Sequence, residues 1–291
     1  MNSLIEQISD YISEQKNNIK KISIYEAQAF SPVTFDRLGL ISNVSSPEEL
    51  WKFMDSMHSY GFEKNFFYGL KNKLTLEEVE LLRYSLKKSL EVLDLINSPK
   101  KFLPMNSISR ALISYRFIKS KIDKNENIIE WGPGSGFLGL MMLKSGYRYS
   151  AVDIAMGFFF TQKLIWNNEK KHNEFRHFKW WEWLSESPNS YNVILANHML
   201  AEMHPSSLNF NLKNNSITKK NYKYFFESLG HSDHPESVSR AFLKYENEIK
   251  YYVNSTINEY TLYQGYYYNN NLHHLLEPVL FRSLAIYLHL Q

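Results

Sequence analysis

The sequence contains no cysteine among its 291 residues. This absence excludes disulfide bonds, thiolate metal sites and a cysteine nucleophile. No run reaches the roughly 18 consecutive apolar residues of a membrane-spanning helix. The first residues also lack the charged start and apolar stretch of a secretory signal. We therefore expect a cytoplasmic protein without a membrane span.

The chain also lacks a strong excess of charge of either sign. Its 33 basic and 30 acidic side chains give a formal net charge of +3, and the basic residues are scattered. Nucleic-acid-binding proteins usually cluster their basic residues on one face, so we expect no nucleic-acid partner. Aromatic residues make up 15% of the chain, which fits core packing and also fits an aromatic-walled ligand pocket.

Residues 1–103 are predicted to be mostly helical and contain no strong chemical motif. Helical spacing of apolar residues within 1–20, Pro47 in a first turn and a leucine stripe after Thr75 predict three helices. Thr75 and Glu78 fit a capping box. We expect this segment to cap the domain that follows it and to shape what that domain accepts.

Residues 104–291 show short apolar runs that alternate with helical segments. The expected strands of a parallel sheet lie at 127–130, 148–153, 177–180, 191–196 and 222–227. Such alternation indicates helical crossovers between parallel strands. Two more runs, at 260–267 and 279–290, follow without a helix between them and predict an antiparallel pair near the C-terminus. The predicted fold is a Rossmann-like α/β domain, with the N-terminal helical segment ahead of it.

A glycine-rich turn follows the first predicted strand, in the segment Glu130-Trp-Gly-Pro-Gly-Ser-Gly136. Glycine lets the backbone bend sharply and lets a ligand lie against it. The helix predicted from Phe137 would direct its free N–H groups at this turn. Gly134 to Gly139 satisfies the G-x-G-x-x-G pattern of dinucleotide-binding proteins, and Asp153 ends the next strand.

The same stretch fits acid-x-G-x-G-x-G and resembles the first motif of class I methyltransferases, which use S-adenosylmethionine. In that family the turn wraps the methionine part of the cofactor, and the acid ending the second strand holds the ribose hydroxyls. A carboxylate at the mouth of the turn, Glu130, would repel a pyrophosphate but suits an ammonium and a sulfonium group. We therefore favour S-adenosylmethionine over a dinucleotide or a purely structural turn. The expected cofactor contacts here are Glu130, Gly132, Gly134, Gly136, Phe137, Asp153 and Ile154.

The third predicted strand runs into Phe178-Lys-Trp-Trp-Glu-Trp183. Aromatic rings at this point could stack on adenine, and we take Trp181 and Glu182 as the candidates. The alternative is a tryptophan-rich surface packed against the N-terminal helices.

Polar residues follow the fourth and fifth predicted strands. The carboxyl ends of parallel strands line the ligand crevice, so Asn197 could hold an acceptor hydroxyl or the cofactor edge. His198 has a suitable intrinsic pKa for a general base, and Glu202, four residues later, could orient its imidazole. The alternative is a helix cap and a solvated carboxylate. His231 is the second candidate base, in a loop that could also cap a helix or bind a divalent metal.

A longer pattern, made of three segments, resembles a narrower group of methyltransferases. The segments 129–139, 152–155 and 197–203 resemble sugar O-methyltransferases of bacterial polysaccharide loci. That resemblance implies transfer of a methyl group to a hydroxyl of a sugar or glycan precursor. An aromatic or lipid hydroxyl is the alternative acceptor, and a nicotinamide-dependent oxidoreductase and an inactive binding module are the other rivals. Metal dependence and assembly into a homo-oligomer stay open.

Overall fold

The computed structural model describes residues 3–20, 44–58, 74–99, 104–120, 122–167, 169, 175–183, 186, 190–197, 224–229, 257–266 and 282–290. The helices in these ranges are α1 (Leu4–Ile19), α2 (Pro47–His58), α3 (Leu76–Leu95), α4 (Met105–Lys119), α5 (Phe137–Lys144), α6 (Met156–Ile165) and the short α7 (Trp180–Trp183). The strands are β1 (Asn127–Trp131), β2 (Arg148–Asp153), β3 (Arg176–Lys179), β4 (Val193–Asn197), β5 (Tyr224–Leu229), β6 (Ile257–Tyr266) and β7 (Arg282–Leu290).

The strands form one sheet in the order β3-β2-β1-β4-β5-β7-β6. Strands β1 to β5 pair in parallel, with β1 and β4 in the middle. The pairings of β7 with β5 and with β6 are antiparallel. The α/β architecture and the parallel sheet expected from the sequence are confirmed. The order differs from the 3-2-1-4-5-6 order of dinucleotide-binding Rossmann sheets, because β7 lies between β5 and β6.

The middle of the sheet is the most buried part of the described chain. The side chains of Ile128 and Ile129 in β1, and of Val193, Ile194 and Leu195 in β4, have no exposed surface. Strands covered on both faces read as continuous apolar runs. Because both strands are covered by neighbours, their carboxyl ends are held in fixed positions at one edge of the sheet.

Several of the predicted strand ends are displaced in the structure. The fifth strand was expected at 222–227, whereas β5 is Tyr224–Leu229. The third was expected to end at Trp180, but β3 ends at Lys179 and Trp180 begins α7. The reason is local, since the Glu182 carboxylate accepts the backbone N–H of Lys179, as the third residue of a capping box does.

The capping box expected at Thr75 is confirmed, and a second cap ends α5. Thr75 and Glu78 form both bonds of the capping box that starts α3. Gly146, with φ +84°, follows the last turn of α5 and donates its N–H to Leu143. The next residue, Tyr147, donates to Met142, which completes a Schellman motif. These caps fix where α3 begins and where α5 turns into β2.

The N-terminal helices pack directly on the helices that flank the sheet. Phe53 of α2 and Phe158 of α6 meet edge to face, with ring centroids 4.9 Å apart. A Cβ at Gly157 would lie 2.7 Å from the Phe53 ring, so only glycine permits this approach. On α3, Glu78 is paired with Arg116 of α4. No helix among the described residues is long and apolar enough to cross a membrane.

Candidate functional site

The glycine-rich turn between β1 and α5 has a backbone that requires glycine. Gly132, Gly134 and Gly136 have φ values of +62°, +56° and +80°, a region that costs other residues about 1–2 kcal/mol. The N–H of Gly132 donates to the carbonyl of Val152 at 2.9 Å, and that of Gly136 donates to Pro133 at 3.0 Å. The first bond extends the β1–β2 ladder, and the second closes the turn just before α5.

Asp153, at the carboxyl end of β2, faces this turn. Its Oδ2 accepts the N–H of Gly134 at 3.2 Å, and its Oδ1 accepts the N–H of Ala155 at 3.0 Å. Burial raises the pKa of Asp153 from 3.8 to about 6, against the opposing effect of these hydrogen bonds. The expectation that the turn and the second acid lie together is therefore met by a direct contact.

Two side chains hold the glycine turn in place by hydrogen bonds. Gln162 lies in α6, and Trp166 is the C-cap residue of the same helix. The Gln162 amide donates to the Gly134 carbonyl at 2.7 Å and to Asp153 Oδ2 at 2.8 Å. The Trp166 indole N–H donates to the Gly136 carbonyl at 2.8 Å. Our sequence analysis missed both residues. The available signal was a glutamine within a largely apolar helix, because such a side chain needs partners when buried.

The two sides of the turn differ in how much room they leave. A Cβ at Gly136 would lie 3.0 Å from the Gln162 side chain, and a Cβ at Gly139 would lie 2.6 Å from Trp166. Apart from its chain neighbours, no described heavy atom lies within 4 Å of a Cβ added to Gly134. One side of the turn is therefore packed tightly, and the side at Gly134 leaves room for a ligand to approach the backbone.

Glu130 lies within the sheet, next to the last residue of β1. It is only 2% exposed and accepts a hydrogen bond from the Tyr149 hydroxyl. Burial, and then the charge of Glu130, raise the pKa of Tyr149 well above its usual value, so the hydroxyl stays a donor. The physical reason is register: Glu130 pairs with Ala151, and Tyr149 is two residues earlier on the same face of β2.

Phe137 and Ile154 flank the turn on the apolar side. Phe137 is the first residue of α5 and is buried, and Ile154, between β2 and α6, is partly buried against the core. Both positions adjoin the residues that shape the turn, Gly136 and Asp153. Their role in binding a cofactor stays a prediction.

Trp181 and Glu182, the candidates for an adenine contact, lie on α7 directly after β3. The Trp181 ring is buried, with its centroid 4.8 Å from that of Tyr11 and 5.3 Å from that of Trp180. Glu182 accepts the backbone N–H of Lys179 at 2.9 Å. The structure thus places the tryptophan-rich segment against α1 and at the same edge of the sheet as Asp153.

The remaining candidates fall at or beyond the limits of the described chain. Asn197 is the last residue of β4 and pairs with Ser228 in β5, which places its backbone at the carboxyl edge of the sheet. The candidate bases His198 and His231, and the candidate orienting residue Glu202, lie outside the described residues. Within the described ranges, no group of three or more histidine and acidic side chains could hold a metal ion.

Comparisons with known proteins return structures but no family. No protein-family profile and no curated protein matches the chain. Similar solved structures include the methyltransferase domain of bacterial CtHen1-CN, at 11% identity and a TM-score of 0.43, over 62% of this chain and 99% of that one. The SAM-dependent methyltransferase from Agrobacterium tumefaciens is 10% identical, with a TM-score of 0.42, over 62% of each chain. Magnesium protoporphyrin IX methyltransferase (ChlM) from Synechocystis PCC 6803, solved with bound SAM, is 8% identical, with a TM-score of 0.39, over 75% of this chain and 99% of that one. Because these identities and scores are low, we infer the function from this chain's own residues.

Proposed function

We propose that the protein is an S-adenosylmethionine-dependent methyltransferase with a class I fold. One observation carries the proposal: the carboxylate of Asp153 lies at the glycine turn, 3.2 Å from the Gly134 nitrogen. The sheet order, in which antiparallel β7 lies between β5 and β6, supports a fold other than the dinucleotide-binding Rossmann sheet.

The charge at the turn favours a cationic ligand over a pyrophosphate. With a pKa of about 6, Asp153 is mostly ionised at neutral pH. Dinucleotide-binding folds seat a pyrophosphate on the N–H groups at the start of the helix, but here the Gly134 N–H already donates to a carboxylate. A pyrophosphate at this turn would face that negative charge, whereas the ammonium and sulfonium of S-adenosylmethionine would be attracted to it.

The residues at the turn fit such a cofactor. Gly134 leaves room for a ligand against the backbone, and Asp153 would accept a hydrogen bond from a ribose hydroxyl. Trp181 and Glu182 lie at the adjacent strand end, where they would meet the adenine ring and its amino group. When bound, the cofactor supplies an electrophilic methyl group to a nucleophilic oxygen.

We further propose that the acceptor is a hydroxyl of a sugar or glycan precursor. A sugar hydroxyl is weakly acidic, so the enzyme needs a group that removes its proton. His198, the residue that follows β4 in the sequence, is the proposed base. Glu202 would orient its imidazole, and His231 is the second choice. Asn197 would position the hydroxyl. An aromatic or lipid hydroxyl is the alternative acceptor, favoured by the chain's 20 tyrosines and 19 phenylalanines.

Titration calorimetry with S-adenosylhomocysteine and with a reduced nicotinamide dinucleotide tests the proposal. We expect S-adenosylhomocysteine to bind with a dissociation constant in the low-micromolar range, about −8 kcal/mol, and the dinucleotide not to bind. Asp153→Ala and Gly134→Val should each abolish binding while the protein stays folded. Binding of the dinucleotide in place of S-adenosylhomocysteine would overturn the assignment. A screen of sugar, aromatic and lipid acceptors then separates the acceptor classes.

A further inference from the structure

Tyr11, in the middle of α1, has a buried hydroxyl that no described residue satisfies. The residue is 2% exposed, and its oxygen has no hydrogen-bond partner among the described residues. A hydroxyl buried without a partner destabilises the folded protein. Buried tyrosine hydroxyls usually have a partner. The question is therefore which group accepts a hydrogen bond from Tyr11.

The ring of Tyr11 is held firmly in place by aromatic neighbours. Its centroid lies 4.8 Å from that of Trp181, 5.0 Å from that of Phe159 and 5.5 Å from that of Phe160. One turn further along α1, Glu14 forms an ion pair with Lys179, the last residue of β3. These contacts fix α1 against α6 and α7, so the position of the Tyr11 hydroxyl is set by the fold.

The surroundings of the hydroxyl are acidic and belong to the candidate site. Burial, followed by the negative charges of Asp153, Glu182 and Glu14, raises the pKa of Tyr11. The hydroxyl therefore keeps its proton at physiological pH and can donate a hydrogen bond. Asp153 and Glu182 are the two acids that flank the proposed nucleoside position, one at the ribose and one at the adenine.

We propose that the Tyr11 hydroxyl donates a hydrogen bond to the nucleoside half of the bound cofactor, which makes α1 part of the cofactor site. This inference rests on the proposed function. Carboxylate oxygens accept hydrogen bonds, so those of Asp153 and Glu182 match a ribose hydroxyl and the adenine amino group. The ring nitrogens and ribose oxygens of the nucleoside need a donor instead, and Tyr11 supplies one beside both acids.

The test is calorimetry on Tyr11→Phe with two probes, S-adenosylhomocysteine and 5′-methylthioadenosine. Both probes contain the nucleoside, but only the first carries the amino-acid part. We expect both affinities to fall about fivefold, the effect of one lost hydrogen bond between neutral groups. The melting temperature of the free protein should stay the same or rise, because the variant removes an unsatisfied hydroxyl.

Tyr115→Phe is the matched control. Tyr115 is also buried, but its hydroxyl bonds to Glu77 and Ser145, outside the site. This variant should lower the melting temperature and leave both affinities unchanged. If wild type binds both probes and Tyr11→Phe binds them equally well, the inference is wrong. The same holds if only methyl transfer falls, since Tyr11 would then serve the acceptor. Failure of the wild type to bind either probe would count against the proposed function itself.

Discussion

The indole N–H of Trp166 donates to the carbonyl oxygen of Gly136, 2.8 Å away, and so joins the end of α6 to the glycine turn. One helical turn earlier, Gln162 makes the corresponding bond to the Gly134 carbonyl. Each carbonyl is part of a rigid peptide plane, so fixing it also fixes the N–H on the other side of that plane. Helix α6 thus determines which way the turn presents its donors.

Two replacements of Gln162 should distinguish the effect of losing its hydrogen bonds from the effect of adding a charge. Gln162→Met removes the donors with little change in size, and leaves the Gly134 carbonyl and Asp153 with one partner fewer. We expect a loss of about 1–3 kcal/mol in the free energy of unfolding, measured by urea denaturation. Gln162→Glu should lower the free energy of unfolding more than Gln162→Met does, because it adds a second carboxylate beside Asp153. It should also lower the affinity for S-adenosylhomocysteine more. Equal losses in the two variants would contradict the charge explanation.

Gly134→Ala and Gly146→Ala form a matched pair for the ligand side of the turn. Both glycines have positive φ, +56° and +84°, and neither has a described heavy atom within 4 Å of an added Cβ. Each variant should lose about 1–2 kcal/mol of stability from backbone strain. Only Gly134→Ala should also weaken S-adenosylhomocysteine, by tenfold or more, because its methyl group fills space beside Asp153. Equal affinities in calorimetry would show that no ligand lies against Gly134.

Cofactor affinity should depend on pH through Asp153. Its pKa of about 6 in the free protein means that the accepting carboxylate is lost as the pH falls below that value. We expect constant S-adenosylhomocysteine affinity above pH 7 and a fall approaching about tenfold per pH unit in more acidic solution. In Asp153→Asn, binding should be weak, and this pH dependence should be absent. A wild-type affinity that stays flat from pH 5 to 8 would exclude Asp153 as the ribose acceptor.

The same pKa shift predicts that the contribution of Asp153 to stability falls as the pH rises, whereas cofactor affinity rises. Because the folded-state pKa is raised from 3.8 to about 6, the folded protein binds more protons than the unfolded chain between these values. The contribution of Asp153 to stability is therefore largest below pH 4 and declines as the pH rises to 6. Urea midpoints across this range, compared with those of Asp153→Asn, measure the difference.

His198→Ala tests the proposed base. We expect near-normal S-adenosylhomocysteine binding and a turnover lower by about 100-fold or more, measured with an accepted sugar substrate. His231→Ala serves as the comparison and should have the smaller effect. If His198→Ala keeps its turnover while His231→Ala loses it, the two histidines exchange roles.

The parts of the site that were predictable are those set by neighbouring residues. The strand before Gly132, the turn itself and the acid at Asp153 follow from apolar periodicity and glycine chemistry within some 25 residues of sequence. The burial of Glu130 could not be predicted, because its surroundings come from the next strand. Its partner, the Tyr149 hydroxyl, reaches it only after β1 and β2 pair.

Gln162 and Tyr11 were missed for a related reason. Gln162 acts on Gly134, which is 28 residues away in the chain, and in the sequence it reads as one polar residue in a helix. Tyr11 reads as a member of the apolar stripe of α1, which it is. Its hydroxyl becomes notable only when α1 is docked beside Trp181, a contact that no local pattern encodes.

The close fit of Phe53 over Gly157 ties α2 to the helix that carries Gln162. We expect the backbone amides on that side of α6 to become accessible to solvent when α2 lifts away. Hydrogen–deuterium exchange should therefore show these two helices opening as one cooperative unit, although about a hundred residues separate them in the chain. A change that weakens the packing of α2 should therefore speed amide exchange in α6, the helix that holds the glycine turn.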